Sequence, residues 1–185
     1  APVAGQPGVI VEIDADDAFI GGGRDNLIQD GASTIGGGDA NYIGPSGTPL
    51  NRGNSTIAGG SDNSIASRAD ASVIAGGTTN TIGLNSRGSS ILGGEFNVID
   101  ENADNSVILG GQDNLIFFGS TNSTVGGTRA IAFNKGSFVW ADSQAGTFGS
   151  TADDQVSFRC KGGVVFSSGS TGVNQRVQWT PGSAG

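Results

Sequence analysis

The chain has 185 residues, of which 34 are glycine and only 5 proline, with 35% apolar and 14% charged residues. Glycine at this level without a G-X-Y period excludes collagen, and regularly spaced aliphatic residues exclude a disordered chain. A net charge of −8 and a pI near 4.2 leave no basic patch to meet a phosphate backbone, so nucleic acid is not an expected partner.

The first predicted element is "PGVIVEIDA" at 7–15, which reads as an extra β-strand within an N-terminal segment, 1–17. It is placed to cap the first coil of a repeat region that begins at residue 18, with pairing onto a neighbouring molecule's edge as the alternative. "APVAG" at the start is compatible with a processed mature end. No apolar run approaches the roughly 20 residues that span a bilayer, so the chain is not expected to cross a membrane.

From residue 18 the chain repeats itself. "AFIGGGRDNLI" from 18, "STIGGGDANYI" from 33, "STIAGGSDNSI" from 55, "SVIAGGTTNTI" from 72, "SSILGGEFNVI" from 89 and "SVILGGQDNLI" from 106 are succeeded by a decayed seventh unit, "STVGGTRAIAF", from 123. The leading apolar position falls at Ile20, Ile35, Ile57, Ile74, Ile91, Ile108 and Val125, in steps of 15, 22, 17, 17, 17 and 17. The long step carries the inserted loop "GPSGTPLNRG" at 44–53. Each unit reads as a short strand, a Gly-Gly turn, a second strand ending in Asn-x-Ile, and a polar return of about six residues. Two strands and two turns make one coil. Stacked coils with parallel strands about 4.8 Å apart would build a roll on the order of 30–35 Å tall.

Stacking gives each repeated position a role. Ile20, Ile35, Ile57, Ile74, Ile91 and Ile108 form one inward ladder, and Ile28, Ile43, Ile65, Ile82, Ile99 and Ile116 form its partner, giving a thin two-ladder core. Asn26, Asn41, Asn63, Asn80, Asn97 and Asn114 recur after the turn, where an amide bonds its own backbone and its equivalents in adjacent coils. The flanking positions Ala58, Val73, Ala75, Leu92, Val107 and Leu109 face outward and grow more apolar toward the C-terminal coils. A strand apolar on both faces is one buried on both faces, so this stripe is expected to be covered by further copies of the chain, three rolls around one axis. A monomeric solenoid whose stripe is covered by its own C-terminal segment is the alternative.

These Ser-x-Ile-x-Gly-Gly … Asn-x-Ile coils, over residues 18–133, resemble the head repeats of YadA-like trimeric autotransporter adhesins. The resemblance implies a left-handed parallel β-roll that trimerises. The segment "GSFVWADSQAGTFGSTADDQVSFRCKGGVVFSSG" at 136–169 is similar to one that comes after such rolls in large bacterial surface and phage-fibre-like proteins, matching at Phe138, Val139, Trp140, Asp142, Ser143, Gln155, Arg159, Gly162, Gly163 and Val164. In that architecture an endosialidase-type intramolecular chaperone domain often comes next and is cleaved off after trimerisation. The resemblance therefore implies a mature piece of a trimeric fibre.

Read from its own residues, this last part, 134–185, leaves the 17-residue period. "SFVWAD", "QVSFRC" and "GVVFSS" alternate as strands, and Phe138, Trp140, Phe148, Phe158 and Phe166 concentrate aromatics that would fill a wider core at the base of a trimer. It is predicted as a neck or trimerisation segment.

The chemistry available is narrow. There is no histidine, so Ser-His-Asp and Cys-His machinery cannot be built from this chain alone. Cys160 is the only cysteine, read as a free core thiol, with an interchain link as the alternative. Asp25, Asp62 and Asp113 before the repeated Asn invite comparison with calcium-binding rolls, but Ala40, Thr79 and Phe96 take the alternate coils, and calcium wants six or more close oxygens. Acidic clusters at Asp14, Asp16 and Asp17, at Asp100, Glu101 and Asp104, and at Asp153 and Asp154 fall in predicted turns, where charge deters edge pairing.

No catalytic, cofactor-binding or metal-ligating residue is assigned, and no cofactor is expected. The sequence predicts an all-β, homotrimeric β-roll of about seven coils with a β-rich neck, left-handed as the resemblance implies. It would serve as a non-catalytic structural or adhesive subunit of an extracellular fibre at a cell surface, with the N-terminal strand as a route to head-to-tail polymers. Expected partners are copies of itself and a host or surface glycan or protein. The alternative is a phage tail-fibre or tailspike module that binds or cleaves host glycan through paired carboxylates.

Overall fold

The computed structural model describes residues 11–13, 15–47, 53–168 and 175–179. The chain enters on β1 (Val11–Ile13), and each turn then adds two strands: β2 (Phe19–Ile20) and β3 (Asn26–Ile28), β4 (Thr34–Ile35) and β5 (Tyr42–Ile43), β6 (Thr56–Ile57) and β7 (Ser64–Ile65). The next are β8 (Val73–Ile74) and β9 (Thr81–Ile82), β10 (Ser90–Ile91) and β11 (Val98–Ile99), β12 (Val107–Gln112) and β13 (Leu115–Ile116). The stack ends with β14 (Thr124–Thr128) and β15 (Ala130–Ala132), β16 (Phe138–Ala141) and β17 (Phe148–Gly149), and β18 (Val156–Arg159). Odd-numbered strands from β1 to β17 form one nine-stranded parallel sheet, and even-numbered strands from β2 to β18 form the other. The protein is an all-β parallel solenoid of about eight turns. A separate antiparallel ribbon comes last, β19 (Val164–Ser168) with β20 (Gln175–Trp179).

The strand candidate at 7–15 is β1 in its described part. It pairs in parallel with β3, Ile13 opposite Ile28, and so lies on the first coil as a further rung. Both isoleucine ladders are inside: every member from Ile28 and Ile35 to Ile108 and Ile116 is buried, and Ile20 at the open end is partly so. Fully burying one such side chain stabilises by about 1.5–3 kcal/mol, and in a solenoid that gain is shared only with the rungs directly above and below.

The core is not the two-ladder slot that the sequence implied. A third inward position lies on the return loop, where Ala69, Ser86, Ala103 and Ser120 are buried. A further buried row precedes each even-numbered strand from β4 to β16: Ser33, Ser55, Ser72, Ser89, Ser106, Ser123 and Ser137. Each hydroxyl in the middle of the row has two jobs. Ser72 Oγ donates to Ser86 O at 3.1 Å and accepts the Ser89 N–H at 3.1 Å. Ser89 and Ser106 repeat the pattern one rung further on. The return loop is thereby fastened to the strand without a large apolar side chain, and small residues suffice to fill the corner.

Parallel pairing continues past 133, where the sequence period is lost. Val125 stands opposite Val139, and Val139 opposite Ser157, so the inward position advances 14 residues from 125 to 139 and 18 from 139 to 157. Inserted or deleted residues fall in the corners, while strand register is set by which side chains must face the core. The inward positions also shrink toward this end, to Val139 and Ser157 in one sheet and Ala132 and Ser150 near the other. Of the aromatic residues expected to fill a wider core at the base of a trimer, Trp140, Phe158 and Phe166 are exposed in the single chain and Phe138 is half-buried, while Phe148 is half-buried against the core cluster.

The corner after each Gly-Gly turn is made by a residue in the left-handed backbone region. Asp25, Ala40, Asp62, Thr79, Phe96, Asp113 and Arg129 all have φ between 54° and 57°. This accounts for the scattered aspartates: Asp and Asn adopt that conformation at less cost than the β-branched Thr79 does. Thr79→Asn should therefore stabilise the protein by about 1 kcal/mol, raising the midpoint of thermal unfolding by roughly 2–4 °C. An unchanged or lowered midpoint in a circular dichroism melt would count against the corner carrying strain.

Candidate interaction surface

The two residues that flank the inward position on each even-numbered strand point out of the solenoid. One outer column runs Phe19, Thr34, Thr56, Val73, Ser90, Val107, Thr124, Phe138 and Val156, in register. The other runs Gly21, Gly36, Ala58, Ala75, Leu92, Leu109, Gly126, Trp140 and Phe158. None of these positions on the nine strands is charged. In a chain that is 14% charged, about two or three of them would be by chance.

The C-terminal half of this face is the greasy part. Leu92 is 54% exposed, Leu109 43%, Trp140 39% and Val156 64%. Gly126 does not interrupt the column, because the Trp140 ring lies over it. A Cβ at Gly126 would stand 3.0 Å from the ring and 3.3 Å from Leu109 Cβ. Phe138 and Phe158 pack beside them with ring centroids 5.7 Å apart, tilted by 51°. From β8 to β18 six strands stack, so the apolar face is on the order of 24 Å tall. The sequence-predicted stripe is therefore brought together on one face, with Val73, Leu92 and Leu109 exposed and Val107 half-buried. Phe138, Trp140, Val156 and Phe158 extend it, three of them among the aromatics that the sequence placed at the base of a trimer.

The opposite sheet is more mixed. One outer column there runs Leu27, Tyr42, Ser64, Thr81, Val98, Leu115 and Ile131, in register. The other includes Gln29, Asp100, Phe117 and Phe133, the last two with ring centroids 5.8 Å apart, and Phe118 lies in the bend directly after Phe117. All three phenylalanines are exposed.

The asparagine row is structural in its geometry. Each member is buried, and Asn80 is typical: its amide nitrogen donates to Gly94 O at 2.9 Å, and its oxygen accepts the Asn97 N–H at 3.1 Å. The described acidic clusters are turn fasteners. Asp104 accepts the Arg87 N–H, Asp100 the Glu101 N–H and Asp153 the Lys135 N–H, while Asp17 and Asp154 occupy left-handed corners. Asp14 lies outside the described residues. Arg24 pairs with Asp39 one rung along, and the hydrogen bond it donates holds the Asp39 carboxyl below the usual carboxylate range. Cys160 is a half-buried free thiol at the end of β18.

Among the described residues no group of three or more His, Cys, Asp or Glu side chains is placed to hold a metal ion, and no helix is long and apolar enough to cross a membrane. No protein-family model matches the chain, and comparison with curated proteins gives no match.

Proposed function

We propose that this chain is a non-catalytic subunit of an extracellular trimeric fibre, structural or adhesive in role, with left-handed coils. The observation that carries the reading is the uncharged outer face of the even-numbered sheet, apolar from Val73 to Phe158 but for Ser90 and Thr124. A contiguous apolar face of this height on a strongly acidic chain favours association rather than a life in water. Copies of the same chain are the simplest cover, since each brings the same uncharged columns to a shared axis. The β19–β20 ribbon supports a C-terminal neck. It joins neither nine-stranded sheet and exposes Val165 and Phe166, and a two-stranded ribbon is marginal on its own in water.

The deciding measurement is the native mass. A species of three times 18.3 kDa is expected, with Leu109→Glu shifting it to 18.3 kDa while the β-sheet dichroism stays unchanged. A wild-type protein that runs as a clean 18.3 kDa monomer removes the proposal.

A second reading, a tail-fibre module that binds a glycan, is favoured by the exposed Phe117–Phe133 ring pair and Phe118 on the other sheet. On that reading Phe133→Ala abolishes retention on a neutral glycan column and leaves the native mass as it was.

A further inference from the structure

At the C-terminal end of the solenoid one carboxylate gathers the last coil. Asp142, just after β16, accepts the Arg159 Nε–H at 3.1 Å, the Gln144 side-chain N–H at 2.9 and 3.1 Å, the Gln144 backbone N–H at 3.4 Å and the Lys161 backbone N–H at 2.6 Å. Arg159 spreads the hold further. Its Nη1 donates to Gly146 O at 2.7 Å, and its Nη2 reaches Thr128 O, Asp142 O and Gln144 O, each at 3.1 Å. The guanidinium also stands 5.6 Å over the Phe148 ring. One side chain thus ties β18 to β14 and to the loop between β16 and β17. Lys161 begins the stretch leading from the solenoid to the β19–β20 ribbon, so Asp142 also holds the point where the ribbon leaves.

Each of the groups that Asp142 accepts from is a hydrogen-bond donor. A proton added to either oxygen would point at an N–H, so this arrangement accepts only the ionised carboxylate. The charged residues around it are Arg159, from β18, and Lys161, from the segment beyond; β14 and β17 contribute the uncharged Thr128 and Phe148.

From this geometry we infer that the Asp142–Arg159 knot is an acid-releasable latch, fixing the root of the C-terminal ribbon to the last coil and letting go when Asp142 is protonated, while the solenoid behind it stays folded. The latch acts within one chain, whatever the oligomeric state. The Lys161 N–H bond, then the Gln144 and Arg159 bonds, hold the Asp142 carboxyl below its ordinary value of 3.8 against a smaller opposing cost of burial. A lowered carboxyl stabilises the closed latch fully above the ordinary value, and that contribution is lost as pH falls through the lowered one.

Cys160, between the two latch residues Arg159 and Lys161 and the only thiol, is the natural reporter. Its rate of reaction with 4,4′-dithiodipyridine is to be measured on the whole chain from about pH 6 to pH 3, alongside far-ultraviolet dichroism. Wild-type protein should react more slowly than Asp142→Asn at neutral pH, and the ratio of the two rates should rise toward one in acid, by about tenfold for each pKa unit of depression. The dichroism should persist throughout. The latch is refuted by equal rates at neutral pH, by a ratio that stays below one and does not move with pH, or by solenoid dichroism lost over the same interval. Should Asp142→Asn fail to fold, Arg159→Lys keeps the charge without the planar fork. Faster labelling of that variant at neutral pH is then expected, and labelling at the wild-type rate overturns the inference.

Discussion

Replacing Gly77 by alanine is expected to cost more than about 4 kcal/mol and to lower the thermal midpoint by more than about 8 °C, far beyond an ordinary surface substitution. A Cβ there would lie 2.1 Å from Gly94 O, 2.9 Å from Gly94 N and 2.8 Å from the Asn80 amide nitrogen, with φ at +95°. Two of those atoms are backbone of the next rung, so nothing can swing aside. Gly94 O already accepts the Thr78 N–H at 3.0 Å and the Asn80 amide at 2.9 Å, and the methyl group would force both apart. Gly76 provides the internal control. Its φ is +141°, but a Cβ would only approach Gly59 O at 3.8 Å, so Gly76→Ala should cost only the backbone strain, about 1–2 kcal/mol. Because each rung contacts only its neighbours, Gly77→Ala should also divide unfolding into two steps, with Trp140 reporting the C-terminal half. Urea melts of the two variants would settle the matter; equal losses would mean that the turn, not the stacking distance, demands glycine at both positions.

The same stacking explains which features could be read from the sequence. The isoleucine and asparagine rows announce themselves because a large apolar or amide side chain recurring at one period has few other uses. Ser72, Ser89 and Ser106 recur just as faithfully, yet a serine carries no sign of burial on its own, and its inward role appears only when the return-loop carbonyl that it donates to is in place. Ala69, Ser86, Ala103 and Ser120 looked like polar loop for the same reason. Past Val125 the period slips although the pairing does not, since a parallel sheet fixes the order and register of strands but leaves corner length free. Trp140 and Phe158 read as filling for a core shared between chains; within one chain they are exposed, and an exposed row of aromatics marks a surface that has something to meet. Asp142 and Arg159 could be singled out as part of a motif, but that one carboxylate faces donors from its own loop, from β18 and from the ribbon root is a fact of the fold alone.

Asn80→Ala should destabilise the protein by about 3 kcal/mol, and Asn80→Asp by more at neutral pH, although aspartate is the closer match in shape. The amide of Asn80 gives and receives in a fixed sense. Its nitrogen faces three acceptors, Gly94 O at 2.9 Å, Asn63 Oδ1 at 3.1 Å and Gly76 O at 3.2 Å, while its oxygen faces the Asn97 backbone and side-chain N–H groups at 3.1 and 3.0 Å. Alanine leaves the buried Asn97 N–H without its acceptor and Gly94 O with one donor fewer, at about 1–3 kcal/mol for each buried group left unpaired. Aspartate keeps the accepting side but turns a second oxygen toward three oxygens. That raises its pKa in the folded state above the unfolded one, so the penalty is full above the raised value and shrinks as pH falls through it. Asn80→Asp should therefore gain stability relative to wild type on going from about pH 7 to pH 5, the reverse of the acid response expected at Asp142. Urea midpoints at the two pH values test the sign directly. A variant whose deficit is the same at both, or smaller than that of Asn80→Ala at neutral pH, would show that the row tolerates either polarity, and the buried ladder would then be packing rather than a directed chain of hydrogen bonds.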